Sequence, residues 1–273
     1  MTQRLSPNQC QPQPVRIGSF NVRWACPDDG EHRWEQRRER SAALLRSWEP
    51  DVLGLQEPLR HQIDYLLQAL PKYAEVGVER DDGAAAGEFC AILYRRNRFQ
   101  LLESGTFWLS EEPERPGSMG WGARHARICT WAHLVEQGSE AAFYLYNVHL
   151  DHEAQQAREK GVELVLERIR RRSASDPVIL TGDFNAWPDN AAVARVQRAD
   201  SPVSRNALAA ANSVDAGAGT FHGFTGHAQE NPIDYIFLSS EWRVLEGAVV
   251  RGDGARPFVS DHFPVAATLE LEV

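Results

Sequence analysis

Short apolar segments of six to ten residues recur along the whole chain, separated by polar turns. Segments of this kind are typical of β-strands. They cover residues 15–22, 51–56, 89–94, 128–135, 141–150, 177–182, 233–239 and 265–271. Other stretches carry apolar residues at helical spacing and predict helices over residues 33–48, 59–70 and 153–172.

The order of these elements favours two mixed or largely antiparallel sheets with helices on the outside. Between residues 89 and 150 several strands follow one another with only loops between them. A doubly wound parallel sheet would instead alternate strands and helices. The longest irregular stretch, residues 110–126, contains glycines and prolines that break both periodicities. Long loops are often functional, and this one carries Trp121, Arg124 and His125.

The composition allows one large domain or two small ones, since 42% of the 273 residues are hydrophobic. No internal repeat or long linker interrupts the chain. We expect a flexible polar tail over residues 1–14 and a single domain over residues 15–273. The tail lacks the apolar segment of a signal peptide, and no stretch approaches the length of a membrane span.

Charge and cysteine content narrow the class of protein further. The formal net charge of -9 favours a small or locally recognised substrate over nucleic acid held by its phosphates. The cysteines show no CxxC or CxxH spacing, so zinc is not indicated. We expect reduced thiols and a cytoplasmic location. The cysteines are Cys10, Cys26, Cys90 and Cys129.

Several of the apolar segments end in, or contain, a polar side chain capable of chemistry. Each has an ordinary explanation when taken alone, as a turn residue, a helix cap or a hydrogen-bonded core histidine. Together they supply the parts of a metal-assisted phosphoester hydrolase. The set comprises Asn21, Glu57, His149, Asp151, His152, Asp183, Asn185, Asp234, Ser260, Asp261 and His262.

The chemistry of these residue types suggests a division of labour. Oxygen ligands, from Glu57, Asp261 and the amide of Asn21, suit Mg²⁺ or Mn²⁺. A carboxylate such as Asp183 can orient and deprotonate an attacking water. Asp234 lies within an apolar strand and needs a partner. A histidine such as His262 would satisfy it, and the aspartate would then set the tautomer of the ring.

The ordered fragments SFN, LQE, NVHL, GDFN, IDY and SDH, spread from residue 19 to residue 262, form a specific set. With them the chain resembles the endonuclease/exonuclease/phosphatase superfamily, which has the deoxyribonuclease I-like fold. The resemblance covers nearly the whole chain. It implies a four-layer α-β-β-α sandwich of two sheets flanked by helices. It also implies cleavage of phosphoester bonds with a divalent metal at one end of the sandwich.

The resemblance also implies roles for individual residues. Glu57 corresponds to the principal metal ligand, Asn21 to a residue beside the metal, and Asp261 to a neighbouring metal-site carboxylate. Asp183 corresponds to the carboxylate that aligns or activates water. Asn185 corresponds to a residue that holds the phosphate and the aspartate.

Two histidines complete the set that the resemblance implies. His262 corresponds to the histidine of an Asp–His pair with Asp234. His149 corresponds to the histidine that donates to the phosphate or the leaving oxygen in the deoxyribonuclease-like and deadenylase-like branches. Abasic-site nucleases have a tyrosine in that region, so His149 points away from DNA repair.

Residues 107–121, 126–134, 149–158 and 220–224 resemble a bacterial branch related to the deadenylase-like proteins. Within it, Arg127 and His152 are candidate substrate-binding residues. An arginine fork can bind phosphate bidentately, although a surface salt bridge is an equally ordinary use of Arg127. Four loop aromatics either stack on a base or sugar or pack against the scaffold. They are Trp24, Trp121, Trp187 and Phe224.

These observations favour a Mg²⁺- or Mn²⁺-dependent phosphoesterase that acts on a small phosphorylated compound or a nucleotide. The alternative is a 3′-exonuclease or endonuclease on RNA or DNA, which would need a basic track leading to the site. Residues 37–40 and 168–172 are candidate tracks, although both lie on predicted helices whose polar faces normally contact water. A non-catalytic binding module would lack a motif residue, and none is missing. The sequence leaves the oligomeric state open.

Overall fold

The computed structural model describes residues 12–84, 86–252, 256 and 258–272. Most of the tail expected over residues 1–14, including Cys10, lies outside the described residues. No helix in the described ranges is long and apolar enough to cross a membrane.

One sheet contains six strands in the order β11-β12-β1-β2-β4-β3. They are β1 (Val15–Asn21), β2 (Val52–Gln56), β3 (Tyr73–Val76), β4 (Ile92–Arg95), β11 (Trp242–Val249) and β12 (Val265–Leu271). Only β1 and β2 pair in parallel, and the other neighbours are antiparallel.

The second sheet also contains six strands, in the order β5-β6-β7-β8-β10-β9. They are β5 (Phe99–Trp108), β6 (Ile128–Glu136), β7 (Ala142–His149), β8 (Val178–Asp183), β9 (Arg205–Asn206) and β10 (Asp234–Leu238). Here β7 and β8 form the parallel pair, and the other neighbours are antiparallel. Both sheets are therefore mixed, as the sequence predicts.

The four longer helices cover the outer faces of the two sheets, whereas the buried residues of the shortest belong to the cluster between the sheets. The helices are α1 (Trp34–Trp48), α2 (Arg60–Ala69), α3 (Gln155–Arg170), α4 (Ala191–Val196) and the short α5 (Ala207–Ala210), with one 3-10 turn at Gly30–His32. Leu45 of α1 and Ile63 of α2 share an apolar cluster with Phe20 of β1. Val165 of α3 and Val193 of α4 share another with the second sheet. A third cluster fills the space between the sheets, which confirms the four-layer sandwich.

The apolar segments of the sequence do not predict four of the described strands, β3, β5, β9 and β11. All four lie at the edges of the sheets. Edge strands leave many side chains exposed to water, so their apolar signal is weak. In β5, for example, only Phe99, Phe107 and Trp108 are buried. The helix predicted over residues 153–172 begins two residues later in the structure, at Gln155. The Asp151 carboxylate accepts the backbone N–H groups of Glu153 and Ala154, and the helix begins after this turn.

Candidate active site

Strand register gathers the predicted site residues at one end of the sandwich. Asn21 ends β1 opposite Gln56, the last residue of β2, so Glu57 follows beside it. In the second sheet, Asp183 at the end of β8 lies opposite both His149 of β7 and Asp234 of β10. Adjacent strands thus present their polar ends in a row.

A cleft of about 1140 Å³ opens over this end of the sandwich. Eight predicted site residues line it: Glu57, Arg127, His149, His152, Asp183, Asn185, Asp261 and His262. Asn21 and Asp234 are buried beneath its floor, where they contact the lining residues. The structure therefore brings all ten together.

Asn21 joins the carboxylates that the two sheets contribute. Its amide nitrogen donates to Glu57 Oε1 at 2.8 Å and to Asp183 Oδ2 at 3.0 Å. Its amide oxygen accepts the backbone N–H of Arg23. The expectation that Asn21 offers its oxygen to a metal stays a prediction, since an amide oxygen that accepts one N–H group keeps a second lone pair. Here Asn21 positions Glu57 and Asp183.

Two site residues have left-handed backbone conformations. Glu57 has φ 69° and Asn185 has φ 47°. Such conformations are strained for non-glycine residues, although asparagine tolerates them best. The chain after Asp183 is therefore not extended at Asn185. The turn at Asn185 aims its side chain at His149 instead.

Asp183 lies between an asparagine and a histidine pair at the floor of the cleft. Asp234 Oδ2 lies 2.9 Å from His262 Nδ1, and His262 Nε2 lies 3.8 Å from Asp183 Oδ2. Burial raises the pKa of Asp183 to about 7, and the negative charge of Asp234 adds to the rise. Burial by itself would lower the pKa of His262, but the neighbouring aspartates, Asp234 first, outweigh it and raise that pKa to about 10.

His149 is held as a neutral ring on the other side of Asp183. Burial, followed by the positive charges of Arg127 and Arg80, keeps the pKa of His149 well below its usual range. Its Nε2 lies 3.0 Å from Asn185 Nδ2 and 3.6 Å from Asp183 Oδ2. The Asn185 amide also donates to the Leu150 carbonyl. Because the amide is held in this way, it fixes the orientation of the His149 ring.

Among the described residues, two groups of potential metal donors lie at the cleft floor and share Asp183. One comprises Glu57, His149 and Asp183, and the other Asp183, Asp234 and His262, with donor atoms within 4.8 Å of one another in each group. Asp261 belongs to neither group. Its carboxylate lies 3.8 Å from Arg23 Nε and accepts from the Ser260 hydroxyl. Burial also raises the pKa of Asp261.

Arg127 lies in the wall of the cleft, and its side chain is only 5% exposed. A surface salt bridge is therefore not its role. Its Nη2 lies 2.8 Å from His152 Nδ1, and its Nε lies 3.5 Å from Asp151 Oδ2. The loop over residues 110–126 ends here and also places His125 in the cleft.

The sequence patterns missed a buried polar network that joins the two sheets directly beneath the cleft. Gln56 Nε2 donates to Asn147 Oδ1 at 2.7 Å, and the Thr181 hydroxyl donates to the same oxygen at 3.1 Å. Asn147 in turn donates to the carbonyls of Leu55 and Ala91. The sequence does contain a signal for this network. Each of its three members is a polar residue inside an apolar strand, one or two positions before Glu57, His149 or Asp183.

The four loop aromatics divide between cleft and scaffold. Trp24, Trp187 and Phe224 line the cleft, and Trp187 is 48% exposed. Phe224 stacks on His32 with ring centroids 4.4 Å apart. Trp121 packs against the apolar cluster of the second sheet.

Comparison with known proteins agrees with this architecture. The crystal structure of an endonuclease/exonuclease/phosphatase family protein from Bacteroides thetaiotaomicron is similar to this one. The two chains are 33% identical, with a TM-score of 0.86 over 95% of each chain. The mannosyl-6-phosphatase Bt3783 of the same species is 33% identical, with a TM-score of 0.85 over 93% of this chain and 99% of its own. Protein L388 of Acanthamoeba polyphaga mimivirus is 30% identical over 162 residues, which span 56% of this chain and 60% of that relative.

Residues 18–262 match the sequence model of the endonuclease/exonuclease/phosphatase family. Members of this family are divalent-metal-dependent hydrolases of phosphoester bonds. The match includes every predicted site residue from Asn21 to His262. The chain therefore belongs to the endonuclease/exonuclease/phosphatase family.

Proposed function

We propose that this protein hydrolyses the phosphate ester of a small compound with a bound Mg²⁺ or Mn²⁺. The observation that carries the proposal is the position of Asp183, shared by two donor groups at the floor of a cleft. At this point Glu57 of the first sheet meets Asp183 and His149 of the second.

The residues at the floor fit a divalent cation. Glu57 would be its principal ligand, Asp261 would add a neighbouring carboxylate, and Asn21 would orient Glu57. Burial raises the pKa values of Asp183 and Asp261. The surrounding protein groups therefore do not fully stabilise the two negative charges. A bound cation would supply that compensation and neutralise charge on the phosphoryl oxygens.

The chain's own groups then divide the proton chemistry. Asp183 orients the attacking water and accepts its proton. His262, protonated and held by Asp234, donates to a phosphoryl oxygen and stabilises its charge. Neutral His149 and the Asn185 amide border the phosphate position from the opposite side.

The charges around the cleft favour a small substrate over a polynucleotide. Asp29, Asp81 and Asp189 line it, whereas Arg23 and Arg80 are each paired with a carboxylate. A long polyanion would be repelled by such a rim. The similarity to a mannosyl-6-phosphatase supports a monoester of a small hydroxyl-bearing compound.

A nuclease acting on RNA or DNA stays the second candidate, because the cleft also contains the aromatics Trp24, Trp187 and Phe224, which can stack on bases. Neither predicted basic track contributes a described residue to the cleft lining. Arg37 is buried against backbone carbonyls, and residues 168–172 lie at the end of α3, beside a separate groove.

We also propose a cytoplasmic location and a single domain over residues 15–273. Cys26, Cys90 and Cys129 are free thiols, as is usual in a reducing compartment. The oligomeric state stays open.

A substrate panel tests the proposed function. Purified protein with Mg²⁺ or Mn²⁺ is offered sugar phosphates, nucleotides, nitrophenyl phosphate mono- and diesters, and single-stranded RNA and DNA. We expect inorganic phosphate to be released from small monoesters with the highest kcat/KM. Shortening of the oligonucleotides without phosphate release from any monoester would reject the proposal in favour of the nuclease.

A further inference from the structure

A cluster of polar side chains forms one wall of the cleft beside the reaction centre. In the first sheet β4 lies beyond β2, and the segment before β4 brings Arg80 and Glu88 past Glu57. In the second sheet β6 lies beyond β7, and Arg127 at its start comes past His149. Both sheets therefore deliver polar groups to the same side. The cluster, which we call the Arg80–Arg127 wall, comprises Arg80, Glu88, His125, Arg127 and His152.

Buried donors in this wall lack partners within the described part of the chain. Arg127 is 95% buried, yet its Nε–H and Nη1–H groups donate to no hydrogen-bond acceptor, and neither does Arg80 Nε–H. Folded proteins rarely leave buried donors unpaired. A recess of about 10 Å³ lies between Arg80, Arg127 and His149, which is room for about one oxygen atom. The unpaired donors and the recess can therefore take one oxygen atom, of a water or of a ligand.

Carboxylates lie beside both arginines of the wall, and this selects the kind of oxygen. Arg80 Nη1 lies 2.6 Å from Glu88 Oε2, and Arg127 lies beside Asp151. Asp81 also lines the cleft, 3.7 Å from Arg80 Nε. A second phosphate or carboxylate would meet these carboxylates and gain no net attraction.

A hydroxyl group, in contrast, finds both kinds of partner in the wall. The arginines donate to its oxygen, and Glu88 accepts its proton. Burial, with the charges of Arg80 and Arg127, lowers the pKa of His125. His125 is therefore neutral at pH 7, with one ring nitrogen to donate and one to accept.

Hydrogen bonds anchor the backbone at Arg80, whose N–H also donates to the Glu88 carbonyl at 3.0 Å. The buried Glu79 carboxylate accepts the backbone N–H groups of Asp81 and Ala84. The indole of Trp108 donates to the Arg80 carbonyl at 2.6 Å. A subsite set in this way before the substrate arrives loses little entropy on binding.

We infer that the Arg80–Arg127 wall binds the hydroxyl groups of a sugar or polyol leaving group, next to the phosphate held at Asp183. This inference rests on the proposed function and adds to it the residues that select the leaving group. It makes Arg80 and Glu88 specificity-determining residues.

Paired substrates test the assignment. The kcat/KM values of the wild-type protein, Arg80→Met and Glu88→Gln are measured on mannose 6-phosphate and on nitrophenyl phosphate, which has no hydroxyl groups on its leaving group. A site built to bind hydroxyls discriminates strongly by them. We expect each variant to lose at least about tenfold more kcat/KM on the sugar phosphate than on nitrophenyl phosphate.

Arg98→Met is the matched control. Arg98 is similarly buried, at 19% exposure against 13% for Arg80, and pairs with Asp51 and Glu136 away from the cleft. Its substrate ratio should equal that of the wild type. Equal losses on both substrates in Arg80→Met and Glu88→Gln, or no loss on the sugar phosphate, would overturn the inference while leaving the proposed function standing. A wild-type protein inactive on every monoester would instead reject the proposed function itself.

Discussion

At the scale of single residues, Asp183 is held by contacts with several neighbouring groups. Its carboxylate accepts from the Asn21 amide and from the backbone N–H of Asn185, and two histidines approach it from opposite sides. Gly182 allows the backbone of β7 to lie close to that of β8 beside Asp183, since a Cβ at Gly182 would lie 2.4 Å from the Val148 carbonyl oxygen. The aspartate is therefore preorganised for a reacting group.

Asp183→Asn should remove activity and spare the fold. The two side chains are nearly isosteric, but the amide cannot accept a proton from water, so kcat should fall by about 10² to 10⁴. The thermal midpoint without metal should hold or rise, because the substitution removes a buried charge that Asp234 repels. Hydrolysis assays and thermal unfolding measure the two effects, and near-normal turnover would contradict the role of Asp183.

At the scale of elements, the buried side chain of Arg37 connects helix α1 to the loops of the site. Arg37 donates to the carbonyls of Arg23, just after β1, and of Val259, just before the segment with Asp261. Its Nε donates to the His32 carbonyl at 2.9 Å. Burial lowers the pKa of Arg37 to about 10, so it stays charged at neutral pH. A residue predicted to face water thus positions two loops of the cleft.

Arg37→Met should destabilise the fold by about 3 kcal/mol or more, since several buried carbonyls would lose their donors at about 1 to 3 kcal/mol each. Urea unfolding measures the change. Arg38→Met is the control on the same helix: Arg38 is exposed and lies over the Tyr65 ring, so its loss should cost about 1 kcal/mol or less. Similar values for the two variants would show that the buried contacts of Arg37 contribute little.

At the scale of the whole molecule, the site is the place where two sheets meet. Glu57 comes from the first sheet and His149 and Asp183 from the second, and the network of Gln56, Asn147 and Thr181 aligns the sheets beneath them. A cation bound here would be coordinated across the sandwich. Cation binding and global stability should therefore be coupled.

Mg²⁺ or Mn²⁺ should raise the thermal midpoint of the wild-type protein, and EDTA should reverse both this rise and the activity. A ligand at a hundred times its Kd stabilises the native state by about 2.7 kcal/mol. Glu57→Gln should lose most of the increase, whereas Glu103→Gln, on edge strand β5 away from the cleft, should retain it. A midpoint and an activity indifferent to chelator would contradict the metal site.

The sequence by itself determined the central strands, the three long helices and the set of motif residues. These features leave local signals, because buried central strands are continuously apolar and a site residue stands out where such a strand ends. The edge strands left no clear signal, since their side chains contact water on much of their surface.

Only the tertiary structure decided which groups face one another. The amide of Asn21 contacts carboxylates from both sheets, Arg37 is buried, and Arg80 and Glu88 lie in the cleft. Glu88 is 61 residues from His149 along the chain, counted from their positions, and no local pattern relates them. Pairing of distant strands sets such contacts, because register across a sheet depends on long-range hydrogen bonds rather than on neighbouring residues.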